Sequence, residues 1–575
     1  MKYTIFYKNP TTQYIPIRAK LDVSSDNFVE LQFPCWRPGR YERGDFAKNI
    51  HGFKILDENG KKVEFFKESK DSWKVNCESA KELTISYKYF AAELNAGSTF
   101  MDNVQLYVNP VNCLIYKIEN QNKPHELHLD IPKEFQIACG KQFENNTAVF
   151  DSYHELVDSP FIASASMTHL SFTEQKVDFH LWFQGDVKLD EAKIINDLKR
   201  YTKSQIEKFG EFPTSTYHYL YQILAVPAYH GVEHSTSTVI ALGPSYNLMH
   251  SLYDDFLGVS SHELYHTWNV KALRPAEMYP YDYSKENYSR LGYVTEGVTT
   301  YLGDLFLAVS GVKDWKWYKK ELETLLQRHF DNFGRFNYSV AESSFDTWLD
   351  GYVAGVPNRK VSIYNEGALL SLAIDLKIRT NSANKASIHD VMSDLYQQYA
   401  KKDKGYTERE FRGVVEQHAN ENLKDFFANY YYGTHSFEPI LAEALEQLGL
   451  EIKMDRNPSY SANILGTKCL VENGKTIVKK VYPGSAIDLG GIMLEDEIVS
   501  INGFRVNGDL DKWVHYFEDD QIELGLNRAG KMMSITCPNT NKSYFPTYSI
   551  VKVKAPSNLQ KRIFKKWCGS DWDAI

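Results

Sequence analysis

Ser-His-Glu-Leu-Tyr-His-Thr-Trp-Asn, residues 261–269, is the stretch that says most about how this chain folds. It contains the pattern His-Glu-x-x-His, with its histidines at positions 262 and 266. Residues four apart lie on one face of a helix, so His262 and His266 can bind the same metal ion. Glu263 lies beside that face, close enough to take a proton from a water molecule at the metal. The stretch predicts a metal-binding helix, and the alternative is a polar helix surface without metal.

A catalytic zinc needs three protein ligands and one open position, so a third ligand must come from another element. The acids that follow the two histidines are the candidates: Glu277, Asp282, Glu286, Glu296 and Asp304. The first two lie in a loop rich in proline and tyrosine that does not orient them. Glu296 begins an apolar helical run, and Asp304 lies two turns further along. We therefore predict one zinc ion per chain, bound by His262, His266 and Glu296.

Size and composition indicate a soluble globular protein with more than one domain. The chain has 575 residues, of which 43% are hydrophobic, 24% charged and 14% aromatic. The net charge is −9, and without a long basic run there is no electrostatic support for binding to nucleic acid. The seven cysteines are scattered without C-x-x-C spacing, which argues against a disulfide framework or a structural zinc knuckle.

Targeting signals are also missing from the sequence. Residues 1–10 lack the apolar run of a secretory signal, and no stretch has the length of a membrane span. We therefore expect a cytoplasmic protein, unless a signal has been removed.

Hydrophobic periodicity divides the chain into regions. Alternation over 83–89, 127–131 and 177–183 predicts strands, so we expect a β-sandwich-like N-terminal domain over 1–170. The spacing over 190–209 predicts an amphipathic helix that ends at Gly210. Strand patterns at 217–226 and 238–242 precede a mostly helical region, so a catalytic domain is expected over 171–455. The fold class is multidomain α+β.

The C-terminal region returns to strand patterns. Residues 477–486 and 491–503, which contain Pro-Gly-Ser-Ala and Asp-Glu-Ile-Val-Ser-Ile-Asn-Gly, resemble the core of a PDZ domain. We expect a PDZ-like domain over 456–545 and a C-terminal tail over 546–575. Such a domain could bind a peptide by strand addition beside residues 464–466, or contact the catalytic domain within the same chain. The loop at 464–466 matches the usual carboxylate-binding loop poorly, which favours an intramolecular contact or a weak peptide site.

The string His-Glu-Leu-Tyr-His-Thr-Trp-Asn-Val-Lys-Ala-Leu-Arg-Pro, residues 262–275, resembles the glycyl aminopeptidase family of zinc metallopeptidases. Two more motifs are similar to that family: Trp-Arg-Pro-Gly-Arg-Tyr at 36–41 and Thr-Glu-Gly at 295–297. Ala272 departs from the family, where a basic residue is usual. The resemblance implies a thermolysin-like (gluzincin) catalytic domain that binds zinc and cleaves peptides.

The same resemblance implies roles for residues outside the metal site. Gly231-Val232-Glu233-His234 looks like the exopeptidase motif of gluzincin aminopeptidases, so Gly231 and Glu233 are expected to bind substrate, with Glu233 at its free α-ammonium group. His230 stands where the motif usually has a glycine. Tyr364 is similar in context to the tyrosine that donates to the oxyanion in related enzymes. The family also implies a preference for N-terminal glycine or alanine.

These expectations combine into one mechanism. The metal activates a water molecule, and Glu263 takes a proton from it and later passes a proton to the leaving amine. Tyr364 and the metal stabilise the oxyanion. Two alternatives remain: a zinc endopeptidase in which Glu233 binds no amine, and a PDZ-bearing peptide-binding protein with a relic metal site.

Overall fold

The computed structural model describes residues 1–78, 80–353 and 355–575. Within them the chain forms two compact units. The first comprises Met1–Glu321, Asn332–Leu448 and Ser557–Ile575, and the second comprises Leu322–Asp331 and Gly449–Pro556. The predicted N-terminal and catalytic domains lie largely within the first unit, so the domain limits at residues 170, 455 and 545 stay predictions.

The first unit begins with a region built almost entirely of strands. Its elements are β1 (Lys2–Phe6), β2 (Tyr14–Asp22), β3 (Phe28–Gln32), β4 (Ile50–Leu56), β5 (Phe65–Lys67), β6 (Ser72–Asn76), β7 (Glu82–Phe90), β8 (Phe100–Met101), β9 (Gln105–Val108), α1 (Pro110–Cys113), β10 (Tyr116–Lys117), β11 (His125–Asp130), β12 (Gln136–Cys139), β13 (Thr147–Phe150), α2 (Tyr153–Val157) and β14 (Phe161–Ser164). They form a six-stranded sheet, β13-β11-β1-β2-β7-β4, and two four-stranded sheets, β10-β3-β6-β5 and β12-β14-β9-β8. The predicted β-rich N-terminal domain is confirmed.

Alternation along the strands explains how these sheets bury a common core. In β2 and β7, which pair antiparallel over their whole lengths, every second side chain is buried: Ile15, Ile17, Ala19, Leu21, Leu83, Ile85, Tyr87 and Tyr89. These side chains belong to one hydrophobic cluster to which strands of all three sheets contribute. Burial of this apolar surface is the main force that holds the sheets together.

A mixed five-stranded sheet follows in the same unit. Its strands are β15 (Thr168–Glu174), β16 (Val177–Gln184), β17 (Thr216–Ile223), β18 (Ala228–Glu233) and β19 (Ser237–Gly243), in the order β15-β16-β17-β19-β18. The chain crosses from β16 to its parallel neighbour β17 through α3 (Glu191–Phe209), which Asp190 caps as predicted. Strand β18 lies at the edge of the sheet and pairs antiparallel with β19.

Helices make up the rest of the first unit up to Leu448. They are α4 (Tyr253–Tyr265), α5 (Thr299–Val309), α6 (Trp315–Phe330, which continues into the second unit), α7 (Val340–Phe345), α8 (Thr347–Asp350), α9 (Ile363–Asn381), α10 (Ile388–Gln398), α11 (Glu408–Ala419), α12 (Lys424–Phe426) and α13 (Glu438–Glu446). Two π-helical turns, Tyr293–Val298 and Phe427–Tyr431, join neighbouring helices. Capping boxes begin α10 at Ser387 and α11 at Thr407. The mostly helical catalytic region is confirmed.

The second unit contains most of the C-terminal strands. They are β20 (Leu450–Asp455), β21 (Thr467–Glu472), β22 (Lys475–Val481), β23 (Glu497–Ile501), β24 (Phe504–Arg505), β25 (Ile522–Arg528), β26 (Lys531–Cys537) and β27 (Thr547–Lys552), with the short helices α14 (Ala486–Gly490) and α15 (Leu510–Tyr516). Strands β20 and β27 pair with each other, and β21-β22-β23-β25-β26 form a sheet with β24 beside β23. Its assignment as PDZ-like stays a prediction.

The end of the chain returns to the first unit. Helix α16 (Asn558–Cys568) buries Ile563, Phe564 and Trp567, and the Trp567 indole donates to the Tyr301 hydroxyl at 2.7 Å. The aromatic part of the tail therefore packs as protein core. Among the described residues, no helix combines the length and the apolar character needed to cross a bilayer.

Candidate active site

Three predicted ligand side chains meet at one point. The Nε2 atoms of His262 and His266 are 3.0 Å apart, and Glu296 Oε2 lies 3.3 Å from His266 Nε2 and 3.7 Å from His262 Nε2. Tetrahedral zinc with bonds of 2.0–2.1 Å separates its ligand atoms by about 3.3 Å. The donors, two imidazoles and one carboxylate, are also those of a catalytic zinc. In the described part of the chain, no other group of His, Cys, Asp and Glu has this spacing.

Helix α4 presents the two histidines. His262 lies in its last turn, and His266 follows the last residue with helical backbone angles. The Nδ1 atom of His266 lies 2.8 Å from the backbone oxygen of Asn269. A carbonyl can only accept, so Nδ1 carries the hydrogen and Nε2 is left to bind a metal. Both imidazoles therefore lie on one side at the end of α4, and their role as metal ligands stays a prediction.

Glu296 lies in a π-helical turn, Tyr293–Val298, and not in the first turn of a regular helix as predicted. The side chain of Asn269 explains this difference. Its Nδ2 donates to the backbone oxygens of Val294, at 2.8 Å, and Thr295, at 3.3 Å. These carbonyls then have partners outside the ordinary helical ladder, which allows a wider turn. Turns of this kind are frequent at functional sites.

Asn269 is the functional residue that sequence reasoning missed. Its amide joins the segment after α4 to the segment that carries Glu296, and a third contact reaches the Thr299 hydroxyl at 3.0 Å. The signal was available, since Asn269 lies inside the string on which the family resemblance rests. The string itself does not indicate which groups the Asn269 side chain contacts.

Tyr364 reaches the site because two helical segments pack backbone to backbone. A Cβ atom on Gly297 would overlap the backbone of Gly367, so no larger residue fits at this crossing. Tyr364 lies one turn before Gly367 on α9, and its ring centroid is 6.4 Å from that of His262. Burial, together with Glu296, raises the pKa of Tyr364 well above its usual value. The phenol therefore stays protonated and can donate a hydrogen bond.

The three ligand side chains influence one another electrostatically. Burial raises the pKa of Glu296, but His266 and His262 oppose this and hold it at about 2. Burial lowers the pKa of His266, but Glu296 and Glu233 raise it to about 10. The buried carboxylates thus favour a positive charge at this point, which is the charge that a divalent metal would supply.

Glu263 lies between the metal ligands and the edge strand. Its side chain is buried, and a Cβ atom on Gly231 of β18 would overlap its carboxylate. Burial raises the pKa of Glu263 well above its usual value, and Glu233 and Glu296 add to this rise while His266 opposes it. A carboxylate with a raised pKa accepts protons readily near neutral pH. The predicted general base is therefore next to the ligands, and Gly231 makes room for it.

Glu233 ends the edge strand β18 on the same side. It is 3% exposed, and its Oε1 atom has no hydrogen-bond partner among the residues that the structure describes. A buried carboxylate oxygen without a partner is costly unless a ligand satisfies it. The geometry thus leaves a binding position for a cationic donor beside the metal ligands.

The other acids weighed as ligands have different surroundings. Glu286 pairs with Arg43 at 2.8 Å, and Asp282 accepts from the Ser284 hydroxyl at 2.6 Å. Asp304 lies on α5 near Gly258. Burial, with a smaller contribution from the charge of Glu321, raises the pKa of Asp304 to about 8. In the aromatic turn at 36–41, Trp36 is fully buried and donates to the Asp282 backbone oxygen at 2.7 Å. That turn packs as a corner of the first unit.

Comparison with known proteins agrees with this arrangement. Residues 2–165 match the family described as the Peptidase M61 N-terminal domain, and residues 255–370 match M61 glycyl aminopeptidase. These two regions are thus similar to M61 peptidase domains, and the resemblance expected from residues 262–275 is confirmed. The chain is a zinc metallopeptidase of the aminopeptidase type.

One solved structure has the same fold over the whole chain. The chain is similar to an aminopeptidase N family protein from Idiomarina loihiensis, with 25% identity, 99% of each chain covered and a TM-score of 0.90. An M1 zinc metallopeptidase from Deinococcus radiodurans is less similar, with 12% identity, 76% of this chain and 94% of that chain covered and a TM-score of 0.46. Native yeast LTA4 hydrolase has 12% identity, with 78% of this chain and 70% of that chain covered and a TM-score of 0.46. No curated protein matches the chain.

Proposed function

We propose that this metallopeptidase removes single residues from the amino terminus of peptides, with one zinc ion per chain held by His262, His266 and Glu296. The observation that carries the proposal is the buried carboxylate of Glu233, which lies beside the metal ligands and has an oxygen without a partner in the described part of the chain. An α-ammonium group is the donor that such a carboxylate would hold. An ion pair in a dry cleft is much stronger than one at a surface, so it can fix the cleaved bond after one residue.

The side chains have separate tasks in the proposed reaction. A zinc ion, when bound, supplies a Lewis acid that polarises the scissile carbonyl and lowers the pKa of water. Glu263 accepts a proton from the attacking water and then donates a proton to the leaving amine. The Tyr364 hydroxyl donates to the oxygen on which negative charge develops. Gly231 lets the Glu263 carboxylate approach β18, so that a substrate lying along this strand would be next to the general base.

The preferred N-terminal residue is proposed as glycine or alanine, on the strength of the family description alone. An endopeptidase with the same zinc ligands would not use Glu233 to bind an amine. A peptide-binding protein with a relic metal site would retain no general base, whereas Glu263 lies against Gly231 next to the ligands. We therefore favour the aminopeptidase.

One set of assays tests this function. Amides of glycine, alanine, leucine and phenylalanine would be compared with the same compounds acetylated at the amine. We expect cleavage of the free amines, fastest for glycine and alanine, and no cleavage of the acetylated forms. A chelator should abolish activity, and added zinc should restore it. Equal cleavage of free and acetylated substrates would indicate an endopeptidase, and zinc content near zero with tight peptide binding would indicate a relic site.

We also infer that the second unit contains a PDZ-like fold. The strand order β21-β22-β23-β25-β26, with α14 between β22 and β23 and α15 between β24 and β25, supports this. At its start, a π-helical turn, Ser461–Leu465, leads into β21, which lies at the edge of the sheet. A peptide could add to that edge. Titration of the purified chain with peptides ending in a free carboxylate tests this, since no binding would favour a purely structural role.

A further inference from the structure

A buried network surrounds the carboxylate of Asp158. Its Oδ1 accepts from Lys271 Nζ at 2.8 Å and lies 3.0 Å from His234 Nδ1. Its Oδ2 accepts from the Ser235 backbone N–H at 3.0 Å and from the Ser235 hydroxyl at 2.6 Å. A carboxylate cannot donate, so the Nδ1 atom of His234 carries the hydrogen. The carboxylate thus accepts four hydrogen bonds, and all four donors belong to residues that follow the N-terminal strands in sequence.

The contacts join three segments that are distant in sequence. Asp158 follows α2 in the β-rich region, Ser235 lies in the turn between β18 and β19, and Lys271 follows α4. The exposed fractions of the side chains are 15% for Asp158, 6% for His234 and 2% for Lys271. Burial raises the pKa of Asp158, but Lys271 and His234 hold it well below its usual value, so the ion pair persists at neutral pH.

Both ends of the network lead to the proposed substrate site. His234 directly follows Glu233. The backbone N–H of His234 donates to the Ser237 backbone oxygen at 2.9 Å, and this bond closes the turn after β18. The N–H of Lys271 donates to the backbone oxygen of the metal ligand His266 at 3.1 Å. Among the described strands, β18 pairs only with β19, so the contacts of Asp158 with His234 and Ser235 add a second support at the end of β18.

We propose that Asp158, through Lys271, His234 and Ser235, is a positioning residue that sets the distance between the amine-binding Glu233 and the metal ligands. This role rests on the proposed aminopeptidase function. Asp158 contacts no reacting group itself. Its loss would leave the zinc ligands and Glu263 in place while the end of β18 gains freedom to move.

The test compares Asp158→Asn with a matched control in the full-length zinc enzyme. Asp26→Asn is the control, since Asp26 pairs with Lys117 at 2.8 Å in the same β-rich region and both side chains are largely buried. We expect Asp158→Asn to raise KM for alanine amide about tenfold, because small displacements of a positioning group weaken productive binding. Its kcat should change much less, and zinc should stay at one ion per chain. Asp26→Asn should leave KM unchanged.

Ser235→Ala provides a milder variant in case Asp158→Asn does not fold. It removes one hydrogen bond of the network and should raise KM in the same direction by a smaller factor. An unchanged KM in a folded variant, or a fall in kcat with loss of zinc, would overturn the positioning role. If the wild-type enzyme cleaved acetylated and free substrates equally, the aminopeptidase function would fail first. The two failures are therefore distinguishable.

Discussion

The metal centre and the amine-binding end of the site are assembled in different ways. The metal centre comes from two stretches close together in sequence, α4 with Asn269 and the turn that carries Glu296. The amine-binding end depends on Glu233 and on contacts of Asp158, which is 76 residues from His234 and 113 from Lys271. The proposed metal ligands thus lie close together in sequence. The residues proposed to select the substrate depend on contacts between segments that are distant in sequence.

This contrast predicts two kinds of variant. Changes in the metal centre should slow the reaction of every substrate alike, because they act on the bond-breaking step. Changes at the amine-binding end should alter the discrimination between free and blocked amines, because they act on how substrate is held.

The largest effect is expected for Glu263→Gln. An amide cannot accept the proton, so kcat should fall about 10³-fold, within the range for loss of a general base. The fall should be similar for every N-terminal residue, and metal analysis should still find one zinc ion per chain. Asp304→Asn, on the neighbouring helix, is the control and should keep both zinc and activity. Full activity in Glu263→Gln with zinc bound would refute the assignment of the general base.

A smaller effect is expected for Tyr364→Phe. Loss of one donor to a developing oxyanion lowers kcat by roughly 10²-fold. KM should change little, because the hydrogen bond forms mainly in the transition state. Tyr301→Phe is the control, since the Tyr301 hydroxyl donates to Asp375 at 2.7 Å within the core and should affect stability but not kcat. An equal loss in both variants would mean that Tyr364 acts only through packing.

The sequence predicted the elements that depend on local pattern. Alternation over 83–89 predicts β7, and the apolar spacing over 190–209 predicts α3. The spacing of His262 and His266 likewise follows from helical geometry alone. These features need no information about the rest of the fold.

Features that depend on contacts between distant segments could not be read in this way. The π-helical turn at Glu296 arises because Asn269, 25 residues before Val294, takes carbonyls that an ordinary helix would use. Hydrophobic periodicity cannot predict this hydrogen bond between a side chain and distant backbone groups. The partners of Asp158 are similarly invisible, since a single aspartate after a short helix reads as a surface acid.

Glu233→Gln tests the amine-binding end directly. The amide keeps the shape of the side chain but removes the negative charge that would pair with an α-ammonium group. We expect kcat/KM for free-amine substrates to fall about 10²-fold, which corresponds to loss of one partner of a buried ion pair. Cleavage of acetylated substrates should stay as low as in the wild type, so the discrimination between the two narrows. Unchanged discrimination would show that another group binds the amine.

The smallest effect on turnover is expected for Asn269→Ala, which tests how the metal centre is held together. The variant removes the three contacts of Nδ2 that hold the turn carrying Glu296. Loss of such outer contacts weakens metal binding about 10- to 100-fold. With excess zinc, kcat should therefore recover, whereas a competing chelator should remove zinc from the variant at lower concentration than from the wild type.

Asn287→Ala is the control, because the Asn287 amide holds the 282–287 loop through the Asp282 and Lys285 carbonyls. Equal zinc affinity in Asn269→Ala and the wild type would mean that the π-helical turn holds Glu296 without help from Asn269.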